Sequence, residues 1–191
     1  MMKVIQDSQN LLPGSTKTVL TVGNFDGIHL GHKFLIQKTV QIAKKENLLS
    51  AVVTFKSHSK EILEPTKNLK ILSNLDQKIE LISQLKPDYL IILEFNQEVA
   101  NLPARDFVEN ILIKKYHLNH LIVGEDFALG KNREGNLGFL QNLSKDLDFK
   151  LTIIKKFKVD EKTLSSNLIR KLIVENKTED VEKFLGRKLD T

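Results

Sequence analysis

The 191-residue chain contains no cysteine and no tryptophan. Without a thiol it can form no disulfide, offer no thiolate nucleophile and bind no zinc through sulfur, so a reducing compartment suits it. Its apolar runs are short, and none approaches the roughly 20 residues of a membrane-spanning helix. The segment from Met1 to Pro13 lacks the apolar core of a secretory leader. Neither sign of charge is concentrated: the formal net charge is +5, with lysines and glutamates spread along the chain. That balance favours anionic ligands in general, but it provides no basic stripe with interleaved aromatics for a nucleic acid. No membrane or nucleic-acid partner is expected, and the cytoplasm is the expected location. Repeats, low-complexity tracts and linkers are also missing, so residues 1–191 are expected to form a single domain.

What the chain does have is an alternation of two patterns. Val19–Gly23, Leu49–Phe55, Tyr89–Phe95, His120–Gly124 and Leu151–Phe157 are rich in β-branched and large aliphatic residues without polar alternation. Such runs suit strands covered on both faces. Between them, apolar residues recur at helical spacing. Phe34, Ile36, Val40 and Ala43 outline a helix from Lys33 to about Lys45, and Ile79, Ile82 and Leu85 one from about Leu75 to Lys86, stopped by Pro87. Phe107, Ile111 and Leu112 outline a third, entered through Leu102-Pro103. The expected fold is α/β: a doubly wound, mainly five-stranded parallel sheet with right-handed crossovers and helices on both faces.

The stretch Gly23-Asn24-Phe25-Asp26-Gly27-Ile28-His29-Leu30-Gly31-His32 joins the first of these strands to the first helix. An open α/β sheet binds its ligands at such a junction. Gly23 and Gly27 allow a tight turn, and Gly31 leaves room where the helix begins. His29 and His32, three apart, share a face of the first helical turn, where unpaired N–H groups and the helix dipole already favour anions. The pattern points to a polyphosphate site.

Two further stretches carry candidate chemistry. Val123 to Asn136 leaves the fourth strand as a glycine-bounded loop with Asp126, Phe127, Gly130, Lys131 and Arg133, followed by a helical pattern near Gly138. An acid, an aromatic and two cations there suit a planar ring and a phosphate, or simply a solvated connection. In Leu164-Ser165-Ser166-Asn167-Leu168-Ile169-Arg170, either serine can cap the helix outlined by Leu168, Ile169, Leu172 and Ile173. Arg170, one turn in, can reach a phosphate held at that helix start. A last short helix, Glu179–Leu185, precedes Gly186-Arg187-Lys188.

Together GNFDGIHLGH, VGEDFALGKNREGN and LSSNLIRKLI, in this order, resemble the FMN adenylyltransferase module of the prokaryotic bifunctional riboflavin kinase/FAD synthetases. That module belongs to the HxGH nucleotidyltransferase superfamily, with its Rossmann-like fold. The resemblance runs from about Lys17 to Arg187. HxGH alone marks the superfamily, and the DFALG loop with the closing SSNLIR and EDVEKFLGR narrows it to the FAD-forming branch. It implies transfer of AMP from ATP to FMN, with Mg²⁺, giving FAD and pyrophosphate, and it implies that the riboflavin kinase domain is absent from this sequence.

By the same resemblance Gly23, Asn24, Phe25, Asp26, Gly27 and Gly31 shape the ATP phosphate loop, and His29 and His32 contact the phosphates where transfer occurs. Ser165, Ser166 and Arg170 form a second cradle, with Arg170 on the triphosphate. Asp126 belongs to a flavin-side loop framed by Phe127 and Gly130, with Lys131 and Arg133 beside it. Thr54, Phe55 and His58 match a family segment TFxPHP, which here reads TFKSHS, with Ser57 and Ser59 in place of prolines and Lys56 at a commonly acidic position. Asn167 stands where the family has threonine. Losing two prolines implies a less preorganised loop. Two alternatives remain open on the residues: a related nucleotidyltransferase with another phosphate acceptor, and a catalytically weak flavin- or nucleotide-binding protein.

Overall fold

The computed structural model describes residues 1–6, 16–59, 63 and 70–188. Its frame is a six-stranded parallel sheet of β1 (Lys3–Gln6), β2 (Thr18–Val22), β3 (Leu49–Phe55), β4 (Tyr89–Leu93), β5 (Leu118–Gly124) and β6 (Lys150–Ile154). Their spatial order is β1-β4-β3-β2-β5-β6. Five of these strands correspond to the apolar runs, with some ends moved by one to three residues. The sixth is a correction to the five-stranded expectation. β1 has only Val4 and Ile5 as apolar residues and is largely exposed, so no pattern announces it. It is held by parallel pairing along β4, from Lys3 opposite Tyr89 to Gln6 opposite Ile92.

Alternate residues of the strands feed two cores, which explains the unbroken apolar runs. Ala51, Val53, Tyr89, Ile91, Leu121 and Val123 face one side. They meet Phe107, Val108 and Leu112 of a helix that begins as α4 (Ala104–Asp106) and continues in π-helical form over Phe107–Ile113. Leu140 and Leu143 of α5 (Leu137–Asp146) complete that layer. Val52, Leu90 and Ile92 face the other side, against Ile36 of α1 (Leu30–Glu46) and Ile82 of α2 (Leu75–Ser83). A short α3 (Gln97–Asn101) precedes α4. α2 ends three residues before Lys86, which turns to φ 55 ahead of Pro87.

After β6 the chain makes a two-residue hairpin, β7 (Lys158–Val159) with β8 (Lys162–Thr163), and then two helices, α6 (Ser166–Val174) and α7 (Thr178–Leu185). These bury Ile169, Leu172, Val181, Phe184 and Leu185 together, with Leu30 at the start of α1 and Leu72 packed against them. Among the described residues no helix is long and apolar enough to cross a membrane.

The sheet order changes direction at β2, with β3 and β4 to one side and β5 and β6 to the other. A crevice opens beyond the carboxyl ends of strands at such a switch point. The loops leaving β2 and β5 at Gly23 and Glu125 therefore face a common space.

The core makes a direct stability prediction. Leu121 on β5 is fully buried in the larger cluster. Leu121→Ala should cost about 2–5 kcal/mol in urea unfolding, the range for a large side chain truncated in a packed core. A loss below about 1 kcal/mol would contradict the packing described.

Candidate active site

The loop between β2 and α1 is held in a conformation its residues would not choose. Phe25 (φ 46) and Ile28 (φ 39) both occupy the left-handed region, which is uncommon for any L-residue and especially for a β-branched one. Such strain costs on the order of 1–3 kcal/mol per residue and persists only where the surroundings over-determine it. Here they do. The Gly27 N–H donates to Ser73 Oγ at 2.9 Å, and its carbonyl accepts from Arg187 Nη1 at 2.9 Å. The Asp26 carbonyl accepts from Ser166 Oγ at 3.0 Å. The Asp26 carboxylate is only 2% exposed. Its Oδ1 accepts from the N–H groups of Leu72 and Ser73 at 3.0 and 3.1 Å, and its Oδ2 pairs with Arg170 Nη2.

His29 is the N-cap of α1: its Nδ1 accepts from the His32 N–H at 3.2 Å. That bond leaves the ring proton of the neutral imidazole on Nε2. A Cβ at residue 31 would stand 3.0 Å from the His29 ring, so Gly31 is what lets that ring fold over the helix start. The two imidazoles stack with centroids 3.7 Å apart and planes 20° from parallel, and the Phe25 ring meets His32 edge-on at 5.3 Å. His32 Nδ1 is buried without a partner among the described residues. Burial lowers the His29 pKa to about 4, although the Asp126 carboxylate pulls it up. His32 is held well below the usual histidine range by burial first, then by His29 and by Lys78. Both rings are therefore neutral at pH 7 and act as hydrogen-bonding groups rather than cations.

These residues open onto a cleft of about 320 Å³ beyond the ends of β2, β5 and β6. Gly23, Asn24, Phe25, Asp26, His29, Gly31, His32, His58, Asp126, Phe127, Ser165, Ser166 and Arg170 all line it, so all three motif stretches contribute to one cavity. The starts of α1 and α6 both border it, through Gly31 and His32 and through Ser166 and Asn167. Of the two serines, Ser165 is the cap, its Oγ accepting from the Leu168 N–H at 3.2 Å. Arg170 also donates from Nε to Lys70 O at 2.8 Å and from Nη1 to Asn167 Oδ1 at 3.0 Å.

The remaining candidates lie behind or beside the cleft. Thr54 is fully buried, with Oγ1 donating to the Asn24 carbonyl at 3.2 Å, and Phe55 packs edge-on against Phe95. Gly27 is clamped behind the loop, as described. Gly130 presses on α4, where an added Cβ would stand 2.6 Å from the Ala104 backbone. The Lys131 N–H donates to Leu102 O at 2.9 Å, and Arg133 Nη2 donates to the Asp126 carbonyl at 3.2 Å. This segment frames Asp126 and Phe127 from outside the lining.

Two hydrogen bonds tie Ser59 of the TFKSHS segment to the loop after β2. Asn24 Nδ2 donates to Ser59 Oγ at 2.8 Å, and the Ser59 N–H donates to Asn24 Oδ1 at 3.0 Å. A proline at 59 lacks that N–H and could not form the second bond.

Sequence reasoning missed Lys155, Lys156 and Phe157, which line the cleft. The expected strand Leu151–Phe157 concealed them, whereas β6 ends at Ile154. The rule that ligands lie beyond strand ends would have found them. Ser73 and Arg187 were missed too, because they hold backbone atoms far away in sequence and no spacing marks them.

Among the described residues no group of three or more His, Cys, Asp or Glu side chains could hold a metal ion. Of the two lining carboxylates, Asp26 is spent on its donors, and Asp126 is 66% exposed with Lys156 Nζ 3.9 Å away. The described residues therefore supply no magnesium cage. A magnesium ion arriving on a triphosphate would meet substrate oxygens and water instead.

The depressed histidines predict a pH dependence. A group protonated more readily unfolded than folded stabilises the fold fully above its unfolded pKa, near 6.5, and progressively less as pH falls. For His29 the loss should run between pH 6.5 and about 4. His29→Asn keeps a capping oxygen and removes the titration. Urea midpoints should fall less steeply over that window in the variant than in the unaltered chain. Parallel curves would contradict the burial of this imidazole.

The pattern of the FAD synthetase family matches residues 13–168. The bifunctional riboflavin kinase/FMN adenylyltransferase of Buchnera aphidicola subsp. Schizaphis graminum is 35% identical over 187 residues, 97% of this chain and 60% of that protein. Its namesake in Escherichia coli K12 is 31% identical over 186 residues, 97% of this chain and 59% of that protein. The chain thus spans about 60% of the length of these relatives. Two crystal structures share the fold. A Streptococcus pneumoniae protein described as a macrolide-efflux protein superposes with TM-score 0.85 at 24% identity, over 99% of this chain and 63% of that one. A pantoate–β-alanine ligase from Francisella tularensis gives 0.57 at 18% identity, over 99% of this chain and 88% of that one. At those identities the structures speak to fold alone. With most of its length matched by the family pattern and relatives above 30% identity along nearly all of it, the chain belongs to the FAD synthetase family.

Proposed function

We propose that the chain transfers AMP from ATP to FMN, giving FAD and pyrophosphate in the cytoplasm. The observation that carries this reading is the single cleft shared by the stacked imidazoles, Arg170 and the Asp126–Phe127 loop. An oxygen of the FMN phosphate attacks the α-phosphorus of ATP. A new P–O bond forms as the bond to the β-phosphate oxygen breaks, and pyrophosphate leaves with the electron pair. The attacking group is already anionic, so neither a protein nucleophile nor a strong base is required. The protein's work is to align two anionic reactants and stabilise the transferring phosphate.

The residues suit that work. His29 offers Nε2–H to a phosphate oxygen without titrating near neutral pH, and His32 stands stacked beside it. The starts of α1 and α6 add backbone N–H groups and two positive dipole ends. Arg170 spends three N–H groups on Lys70, Asn167 and Asp26, and its remaining donors serve the triphosphate. Phe127, on the wall formed by the β5 loop, is an apolar surface for the flavin. Mg²⁺ bound with ATP would supply counter-charge to its phosphates.

Product analysis by chromatography tests the proposal. With ATP and Mg²⁺ the chain should form FAD from FMN, with pyrophosphate released, and none from riboflavin, which lacks the attacking phosphate. His29→Ala and His32→Ala should each lower turnover by roughly 10²–10³-fold, the scale of one lost transition-state donor. Circular dichroism should show both variants folded. Near-normal turnover in both would contradict the assigned roles, and absence of FAD in the unaltered chain would contradict the reading as a whole.

A further inference from the structure

The nucleotidyl-transfer reading raises a question of charge, on which the following inference rests. ATP and FMN are both polyanions, yet little of the described lining is free positive charge. The formal charges there are those of Asp26, Asp126, Lys155, Lys156 and Arg170. Arg170 and Asp26 form an ion pair with side chains 13% and 2% exposed, which contributes donors but no net charge. The stacked histidines are uncharged. What remains is Asp126 against two lysines.

Those lysines sit at the carboxyl end of β6, beside the strand whose loop carries Asp126. Lys155 makes no hydrogen bond or ion pair among the described residues. Lys156 Nζ lies 3.9 Å from Asp126 Oδ2, a loose, solvent-exposed pairing of the kind that exchanges readily. It keeps the ammonium over the cleft without fixing it. An ammonium on a flexible stem is a point charge that can follow a phosphate through a reaction.

We propose that Lys155 and Lys156 form the cationic wall of the cleft and hold the phosphates of its polyphosphate substrate, Lys156 exchanging Asp126 for a phosphate oxygen on binding. Replacing both by glutamine turns the lining from one net positive charge to one net negative charge, while leaving Asp26, Arg170 and the histidines in place. Both side chains are exposed, so the fold does not depend on their burial.

Calorimetric titration of the whole chain with inorganic tripolyphosphate, ATP and adenosine provides the test, alongside steady-state FAD formation. The variants are K155Q/K156Q and K155R/K156R. At low ionic strength the glutamine variant should bind tripolyphosphate and ATP at least about tenfold more weakly, with a matching rise in KM for ATP. Its affinity for adenosine should be unchanged, its deficit should shrink as salt is added, and the arginine variant should bind nearly normally. Unchanged tripolyphosphate affinity in the glutamine variant overturns the proposal. So does an equal loss for adenosine, failure of arginine to restore binding, or absence of tripolyphosphate binding to the unaltered chain. Should the unaltered chain bind tripolyphosphate through these lysines yet form no FAD, the cationic wall stands and the adenylyl-transfer reading falls.

Discussion

The Asp26 carboxylate is the interaction on which the rest of the site depends. Its two oxygens collect the N–H groups of Leu72 and Ser73 and the guanidinium of Arg170, joining three pieces of chain that no local propensity brings together. One piece leads into α2, the second is the loop between β2 and α1, and the third is α6. A buried carboxylate left unpaired would be severely destabilising, whereas one so fully satisfied orders everything it touches. The positive φ angles of Phe25 and Ile28 are tolerable because this carboxylate, with Ser73, Ser166 and Arg187, holds the loop from several directions.

Burial explains the chemistry as well. Two imidazoles in van der Waals contact and largely out of water would repel each other if charged, and desolvation already disfavours the charged form. The site thus offers neutral hydrogen-bond donors rather than fixed cations. Long-range attraction falls to groups at the rim, where charge is cheap to keep solvated. The site combines an interior whose buried ion pair carries no net charge with a charged, exposed border.

Much of this was legible in the chain. Parallel strands buried on both faces read as unbroken apolar runs, and Val19, Val52, Leu90 and Ile122 advertised the sheet for that reason. The HxGH stretch was legible because glycine spacing, capping and helix direction act over a few residues. β1 was not, since its stability comes from pairing with β4 rather than from its own side chains. Nor was the π-helical form of Phe107–Ile113, whose apolar spacing suits an ordinary helix nearly as well. The roles of Ser73 and Arg187 depend on contacts across 46 and 160 residues, which local pattern does not encode. Lys155 and Lys156 were hidden by an overlong strand: the expected strand ran to Phe157, but pairing with β5 stops at Ile154.

The ordering role of Asp26 is tested most directly by a double-mutant cycle on FAD formation with Asp26→Asn, Arg170→Met and the combined variant, each shown to be folded by its urea transition. Residues that act as one unit give non-additive effects. Asp26→Asn alone should lower turnover by about 10²-fold or more, and adding Arg170→Met should change it little further. Near-normal turnover in Asp26→Asn, or two losses that simply multiply, would contradict the account.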